Sequence, residues 1–196
     1  MKIRRFFAVL LVLAALMTVT GCAAQMAPAE GQDQYFTDPV PEGKPKPVDD
    51  AAVGTEQGTC VISISCATLV DDLDKLKAEK RELVPEDGWL LPEMEVSFTQ
   101  GESVFDVLKR VCREEKIHME FSTTPLYHSA YIEGIGNLYE YDAGELSGWM
   151  YSVNDWFPNY GCSRYQVKQG DVIRWQFSCD LGKDVGGSNA AGTMEK

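Results

Sequence analysis

Residues 148–154 read Gly-Trp-Met-Tyr-Ser-Val-Asn, and residues 172–177 read Val-Ile-Arg-Trp-Gln-Phe. Both runs are rich in β-branched and aromatic residues, which is typical of β-strands. The Gln-Gly-Asp turn at residues 169–171 predicts that the second run forms a hairpin with residues 165–167. The C-terminal half of the chain is therefore predicted to be mainly β-sheet.

One helix is well marked before these strands. Ser103 is a suitable N-cap, and Asp106 stands at the third helical position, as in a capping box. Further strands are predicted at residues 60–66, 94–98, 117–121 and 131–133, and a short, distorted helix at residues 68–76. We therefore predict an α+β domain with a β-grasp-like mixed sheet of five or six strands packed on one main helix. The helix presents one apolar stripe to that sheet: Val104, Val107, Leu108, Val111 and Cys112.

Residues 1–21 have the parts of a secretory signal peptide: a basic start, an apolar run and small residues at the end. The apolar run at residues 6–17 is too short for a membrane-spanning helix, which needs about 20 residues. The residues before Cys22 resemble a bacterial lipobox, which implies cleavage there and acylation of the Cys22 thiol. We therefore expect a lipid-anchored protein on the extracytoplasmic face of a bacterial cell membrane. An ordinary signal peptide followed by a chance cysteine is the alternative.

Composition places the remaining boundaries. Residues 22–58 are rich in Pro and Gly and have no apolar periodicity, which predicts a lipidated N-terminus followed by a semi-rigid tether. Residues 59–181 are predicted to form the folded domain, since a chain of that length can build its own core. Residues 182–196 have no core-facing pattern and are predicted to be a flexible tail.

Charge and motifs exclude several function classes. The chain has 196 residues and a formal net charge of −12, which is a poor match to nucleic acid. It has no His-Glu-x-x-His, Gly-x-Ser-x-Gly or Cys-x-x-Cys motif and no phosphate-binding loop. Its two histidines offer little for a His-based metal site. We therefore predict a protein that is not an enzyme and has no metal or cofactor of its own.

Aromatic residues are concentrated near the predicted strands. Trp149 and Tyr151 share one face of their strand, and core packing is an equally good explanation for each of them. The loop that follows combines large aromatic rings with amide side chains, which suits a planar ligand, a sugar or a protein groove. The candidate ligand-binding residues are Trp149, Tyr151, Asn154, Trp156, Phe157, Asn159, Tyr160 and Tyr165.

Several of these runs together resemble a known family. The pattern comprises residues 101–108, 148–154, 158–161 and 170–175, together with Tyr165. Over residues 59–182 the chain is similar to the transcobalamin-like C-terminal domain, the bacterial DUF4430 family. The resemblance implies a β-grasp fold of the soluble-ligand-binding kind. It also implies a group of secreted or lipid-anchored proteins, whose vertebrate relatives close this domain over cobalamin.

Two positions depart from the family pattern. Members usually carry Gly where this chain has Asp155, and close relatives often carry Cys where it has Ala143. We expect a surface lipoprotein that binds a soluble ligand, with cobalamin or another corrinoid as the candidate, for delivery to a membrane importer. A protein-interaction or cell-wall-interaction module with no small-molecule ligand is the alternative.

The cysteines suggest at least one disulfide. Cys162 and Cys179 flank the Gly170 turn almost symmetrically, so the predicted hairpin would bring them together. Cys60 or Cys66 could pair with Cys112, unless Cys112 is simply a buried thiol.

Overall fold

The computed structural model describes residues 39–187. The predicted signal peptide, Cys22, the first half of the predicted tether and the tail from residue 188 lie outside the described residues. Within 39–187, no helix has the length and the apolar character needed to cross a membrane.

The described residues form one α-helix and seven strands, joined by short 3₁₀ turns. The helix α1 is Val104–Glu114. The strands are β1 (Gln57–Ser65), β2 (Trp89–Thr99), β3 (Met119–Thr124), β4 (Ser129–Ile135), β5 (Leu138–Tyr139), β6 (Gly148–Val153) and β7 (Val172–Ser178).

The α+β prediction is confirmed, but the strands form two sheets instead of one. The first sheet has the order β2-β1-β7-β6, in which β1 and β7 are parallel and the outer pairs are antiparallel. The second sheet is antiparallel with the order β3-β4-β5. Apolar alternation predicts that a segment is a strand, but it does not say which strand is its neighbour, so the sequence could not separate the sheets.

The core forms as the periodicities predict. Ser103 and Asp106 close a capping box, with the Asp106 amide 3.2 Å from Ser103 Oγ and the Ser103 amide 3.0 Å from Asp106 Oδ2. The α1 stripe is buried. It joins the alternate residues of β1 and β7, including Ile62, Ile64 and Trp175, in one hydrophobic core.

Two predicted elements differ. In place of a helix at residues 68–76, the chain makes 3₁₀ turns at Ala67–Leu69, Leu73–Lys75 and Ala78–Leu83. The predicted hairpin strand at residues 165–167 is absent. Gln166 instead makes an isolated bridge to Ser103 beside the start of α1. β7 pairs with β1 and β6, so both of its edges are already occupied.

The predicted Cys162–Cys179 disulfide is therefore wrong: both residues are free thiols. Cys162 lies in the 3₁₀ turn Cys162–Arg164 and contacts the Ala130 carbonyl, whereas Cys179 follows the far end of β7. No hairpin brings them together. The alternative pairs of Cys60 or Cys66 with Cys112 do not form either, since these three residues are buried free thiols.

Contacts with the domain continue outside residues 59–181, the range predicted for it. Residues 39–54, which we call the N-terminal arm, lie along the domain, where Gly54 N donates to Gln100 O at 2.8 Å. At the other end, the 3₁₀ turn Lys183–Val185 follows β7, and Cys179 N donates to the Asp184 carboxylate at 2.7 Å. Polar and backbone contacts hold both segments, and Val40 of the arm also packs against the hydrophobic core.

Candidate ligand-binding site

Asn154 and Asp155 make the tight turn that leads out of β6. Their φ angles are 53° and 62°, a left-handed conformation that glycine adopts most easily. This explains why Gly is usual where the chain has Asp155. The Asp155 carboxylate lies 2.6 Å from Arg174 Nη1, so an ion pair accompanies the unfavourable backbone conformation. Asn154 Nδ2 donates to Asp171 Oδ1 at 2.8 Å, which gives this predicted ligand-binding residue a structural contact.

The two aromatic residues predicted on β6 face the core. Trp149 Nε1 donates to Leu138 O at 2.8 Å, and its ring packs edge-on against Phe177. The Tyr151 hydroxyl donates to Tyr160 O at 2.7 Å, and burial raises its pKa well above the ordinary value. Tyr151 therefore supports the following loop through its hydrogen bond to Tyr160, whereas Trp149 packs against β5 and β7.

Three predicted residues of the site pack together as an aromatic cluster, which we define as Trp156, Tyr160 and Tyr165. Their ring centroids are 6.0 to 6.4 Å apart. Tyr160 and Tyr165 are buried, and burial raises the pKa of Tyr165 to about 12. Trp156 is only half-buried. Of the cluster, Trp156 therefore offers the most ring surface for a contact outside the domain.

The N-terminal arm lies directly over the aromatic cluster. Lys44 Nζ is 5.3 Å from the centroid of the Trp156 ring, within the distance of a cation–π contact. The Tyr160 hydroxyl donates to Pro45 O at 2.8 Å, and Asn159 Nδ2 donates to Pro39 O at 3.3 Å. The predicted binding loop is thus partly covered by residues that the sequence assigned to a tether.

An ion pair fixes the arm farther along. Arg164 is 2% exposed, and its Nε and Nη2 atoms donate to the Asp49 carboxylate at 2.7 and 3.3 Å. Val48 N also donates to Arg164 O at 2.9 Å. Beyond Asp49 the arm passes Gly101, where the Ala52 carbonyl occupies the space that a side chain would need. A bidentate Arg–carboxylate pair is geometrically specific, so these contacts set the position of the arm.

An open cleft of about 350 Å³ lies between the arm and the loop that follows β6. Phe157 packs there against Gly187, with a ring atom 2.9 Å from where a Gly187 side chain would begin. The sequence does not identify Pro41, Lys44 or the two glycines as part of the site, because aromatic rings and amide side chains are the signal for it and these segments have neither. The lining residues are Pro41, Lys44, Asp155, Trp156, Phe157, Asn159, Gly186 and Gly187.

The cleft offers chemistry for binding a flat polar molecule. It combines two half-buried aromatic rings, an amide, a lysine and a carboxylate. Within the part of the chain described, no three His, Cys, Asp or Glu side chains gather closely enough to hold a metal ion.

A family model matches the C-terminal half of the described domain. Residues 101–178 match a family model described as "Domain of unknown function (DUF4430)". The match covers about two-fifths of the chain and confirms, over those residues, the resemblance predicted from the sequence. No match was found among curated protein sequences.

Two solved structures are similar to the chain. One is haptocorrin in complex with Cbi, at 12% identity and a TM-score of 0.48, over 65% of this chain and 26% of haptocorrin. The chain therefore spans about a quarter of the length of haptocorrin. The other is from Ruminococcus gnavus ATCC 29149 and is described provisionally as a metal binding protein. It is 12% identical, with a TM-score of 0.38, over 62% of this chain and 96% of that one.

Proposed function

We propose that this domain binds a soluble small molecule in the cleft between the N-terminal arm and residues 155–159. The observation that carries the proposal is the pair of half-buried rings, Trp156 and Phe157, on the wall of an open cleft beside Lys44. Clefts of a few hundred Å³ that are lined by aromatic rings and a few polar groups are the usual form of small-molecule sites. The role is binding and not catalysis.

A corrinoid is the candidate ligand. Its flat macrocycle suits the aromatic rings, and its peripheral amides suit the Asn159 amide and the Asp155 carboxylate. The motivation for this choice is the resemblance of the sequence to the transcobalamin-like domain, whose vertebrate relatives close over cobalamin. A corrinoid is larger than the 350 Å³ cleft, so one edge of the ligand would enter and the rest would stay exposed. That exposed part would be available to a membrane importer that takes over the ligand.

The proposed location follows from the N-terminal sequence. Acylation of Cys22 would hold the domain on the extracytoplasmic face of the membrane. Cleavage before Cys22 would remove Lys2, Arg4 and Arg5 and no acidic residue, so the anchored chain would be more acidic than the full sequence with its net charge of −12. Anionic lipids would repel it, and so the domain would stand off the surface. A ligand captured there would stay within reach of an importer in the same membrane.

Calorimetric titration of the full chain with cobinamide and with cobalamin tests the proposal. We expect saturable binding that Trp156→Ala weakens at least tenfold, because that ring forms one wall of the cleft. Trp89→Ala is the matched control, since Trp89 is an exposed tryptophan at the start of β2. Absence of binding by both corrinoids up to millimolar concentration would reject them as ligands, and equal losses in the two variants would reject the cleft.

A protein-interaction role remains the second candidate. One observation favours it: the aromatic cluster already holds a proline-rich peptide segment, the arm of the same chain. Aromatic side chains that hold proline-rich segments are a recurrent form of peptide recognition.

A further inference from the structure

The surface beneath the arm has the features of a peptide groove. We define the arm groove by the three side chains that the arm contacts most directly: Trp156, Tyr160 and Arg164. It lies next to the cleft and shares Trp156 with it, but its other two side chains do not line that cleft.

Most contacts in the groove do not depend on the side chains of the arm, so the groove would recognise a class of peptides and not one particular sequence. Lys44 contacts a ring face, Pro45 contributes only its backbone carbonyl, and Val48 only its backbone amide. Asp49 is the exception, since its carboxylate receives two donors from Arg164. A peptide from another protein could make the same contacts if it carried a carbonyl, an amide and a carboxylate at the same spacing.

The composition of the arm lowers the entropic cost of docking. Pro45 and Pro47 lie on either side of Lys46, and each proline has its φ angle fixed near −65°. A segment with such restrictions loses little conformational freedom when it binds, which is why proline-rich peptides are common ligands of aromatic grooves.

Charge favours an acidic occupant. The Arg164 side chain is 2% exposed, and it donates two hydrogen bonds to the Asp49 carboxylate. Removing one partner of a buried charge is unfavourable. The groove therefore selects a segment that brings an acid to that position, as Asp49 does. A neutral or basic peptide would not replace the carboxylate that Asp49 provides to the buried Arg164 guanidinium.

We propose that the arm groove is a binding site for an extended, proline-containing acidic segment of a partner protein, and that the arm occupies this site within the chain until such a segment displaces it. The arm and the partner then compete. Because a tethered segment acts at an effective concentration in the millimolar range, the intact chain binds a free peptide weakly. Loosening the arm exposes the site. This interaction rests on the protein-interaction role, the second candidate function above, and does not depend on the small-molecule function.

The test is the binding of a fluorescent peptide with the sequence of residues 39–50 to the full chain, measured by anisotropy. Asp49→Ala in the full chain removes the carboxylate of the resident arm and leaves Arg164 in place. We expect this variant to bind the peptide at least tenfold more tightly than the unchanged chain. Glu42→Ala is the matched control, because it removes the same charge from another residue of the arm, whose side chain is exposed. It should bind like the unchanged chain.

A second peptide tests the chemistry of recognition. The same peptide carrying Asn in place of Asp49 should bind the Asp49→Ala chain at least tenfold more weakly. The proposal is overturned if both peptides bind equally well, or if Asp49→Ala and Glu42→Ala bind the Asp peptide alike. Circular dichroism establishes that each variant is folded.

A further measurement needs no variant. Amide hydrogen exchange of Val48 in the unchanged chain should speed up when millimolar unlabelled peptide is added, because the arm loses its bond to Arg164 O. Unchanged exchange at saturating peptide would contradict displacement. A concentration-dependent dimer that Asp49→Ala abolishes would assign the groove to a second copy of this chain, and so would overturn the proposal of a partner protein. None of these experiments uses a corrinoid, so their failure would reject the peptide-binding proposal and leave the small-molecule proposal to its own test.

Discussion

At the scale of single residues, the buried cysteines explain why thiols persist in a domain that we predict to be outside the cytoplasm. Cys60, Cys112 and Cys162 are each no more than 3% exposed. Burial raises the pKa of Cys60 to about 11 and the pKa values of Cys112 and Cys162 to about 12. The thiolate is the reactive form, so these groups are inert near neutral pH even without a disulfide.

Thiol labelling with iodoacetamide tests this account. At pH 8 the native protein should label slowly at the four buried cysteines and faster at the half-buried Cys179. After unfolding without reductant, all five of these cysteines should label within minutes. Labelling of only three would show that a disulfide exists. Because folding raises these pKa values above the usual 9.0, their contribution to stability is fully present below pH 9. It is lost as the pH rises through about 11 for Cys60 and Cys66 and through about 12 for Cys112 and Cys162.

Asp155 shows both what the sequence can predict and what it cannot. The sequence shows Asp155 at a position where the family pattern has Gly. The φ angle of 62° at this residue explains the preference for Gly, since Gly adopts such a conformation most easily. The compensating contact with Arg174 lies 19 positions along the chain. No local pattern predicts that contact, since it depends on the pairing of β6 with β7.

At the scale of elements, the start of α1 is the best-predicted feature. The Ser-x-x-Asp spacing predicts both reciprocal hydrogen bonds of the capping box, and both form. Glu or Gln is the usual residue at the Asp106 position, but every atom involved lies within four consecutive residues, so a local pattern is enough to predict these bonds. The pairing of Gln166 with Ser103 brings in a distant segment, and for this reason the sequence placed that segment in a hairpin that does not exist.

Ser103→Ala tests the importance of this cap. We expect it to lower the free energy of unfolding by about 1 kcal/mol, within the range measured for N-cap residues. Urea denaturation followed by circular dichroism measures the difference. Ser122→Ala, at an exposed position on β3, should change the free energy by less than about 0.5 kcal/mol. An equal effect of both substitutions would show that the capping box does not stabilise α1.

At the scale of the whole molecule, the largest difference from prediction is the N-terminal arm. Pro-rich composition without apolar periodicity predicts a spacer, because such a segment cannot build a core by itself. It docks nevertheless, since the folded domain supplies the aromatic rings and the buried Arg164 that it contacts. Local composition cannot predict contacts whose partners lie more than 100 residues away.

We propose that the arm and the residues following β6 together form one ligand site. A ¹⁵N–¹H spectrum of the full chain, recorded during titration with cobinamide, tests this most directly. We expect the largest chemical-shift changes at Lys44, Trp156, Phe157, Asn159 and Gly187, which line the cleft from its three segments. An unchanged spectrum at millimolar cobinamide, or changes confined to the β3–β4 hairpin, would contradict it.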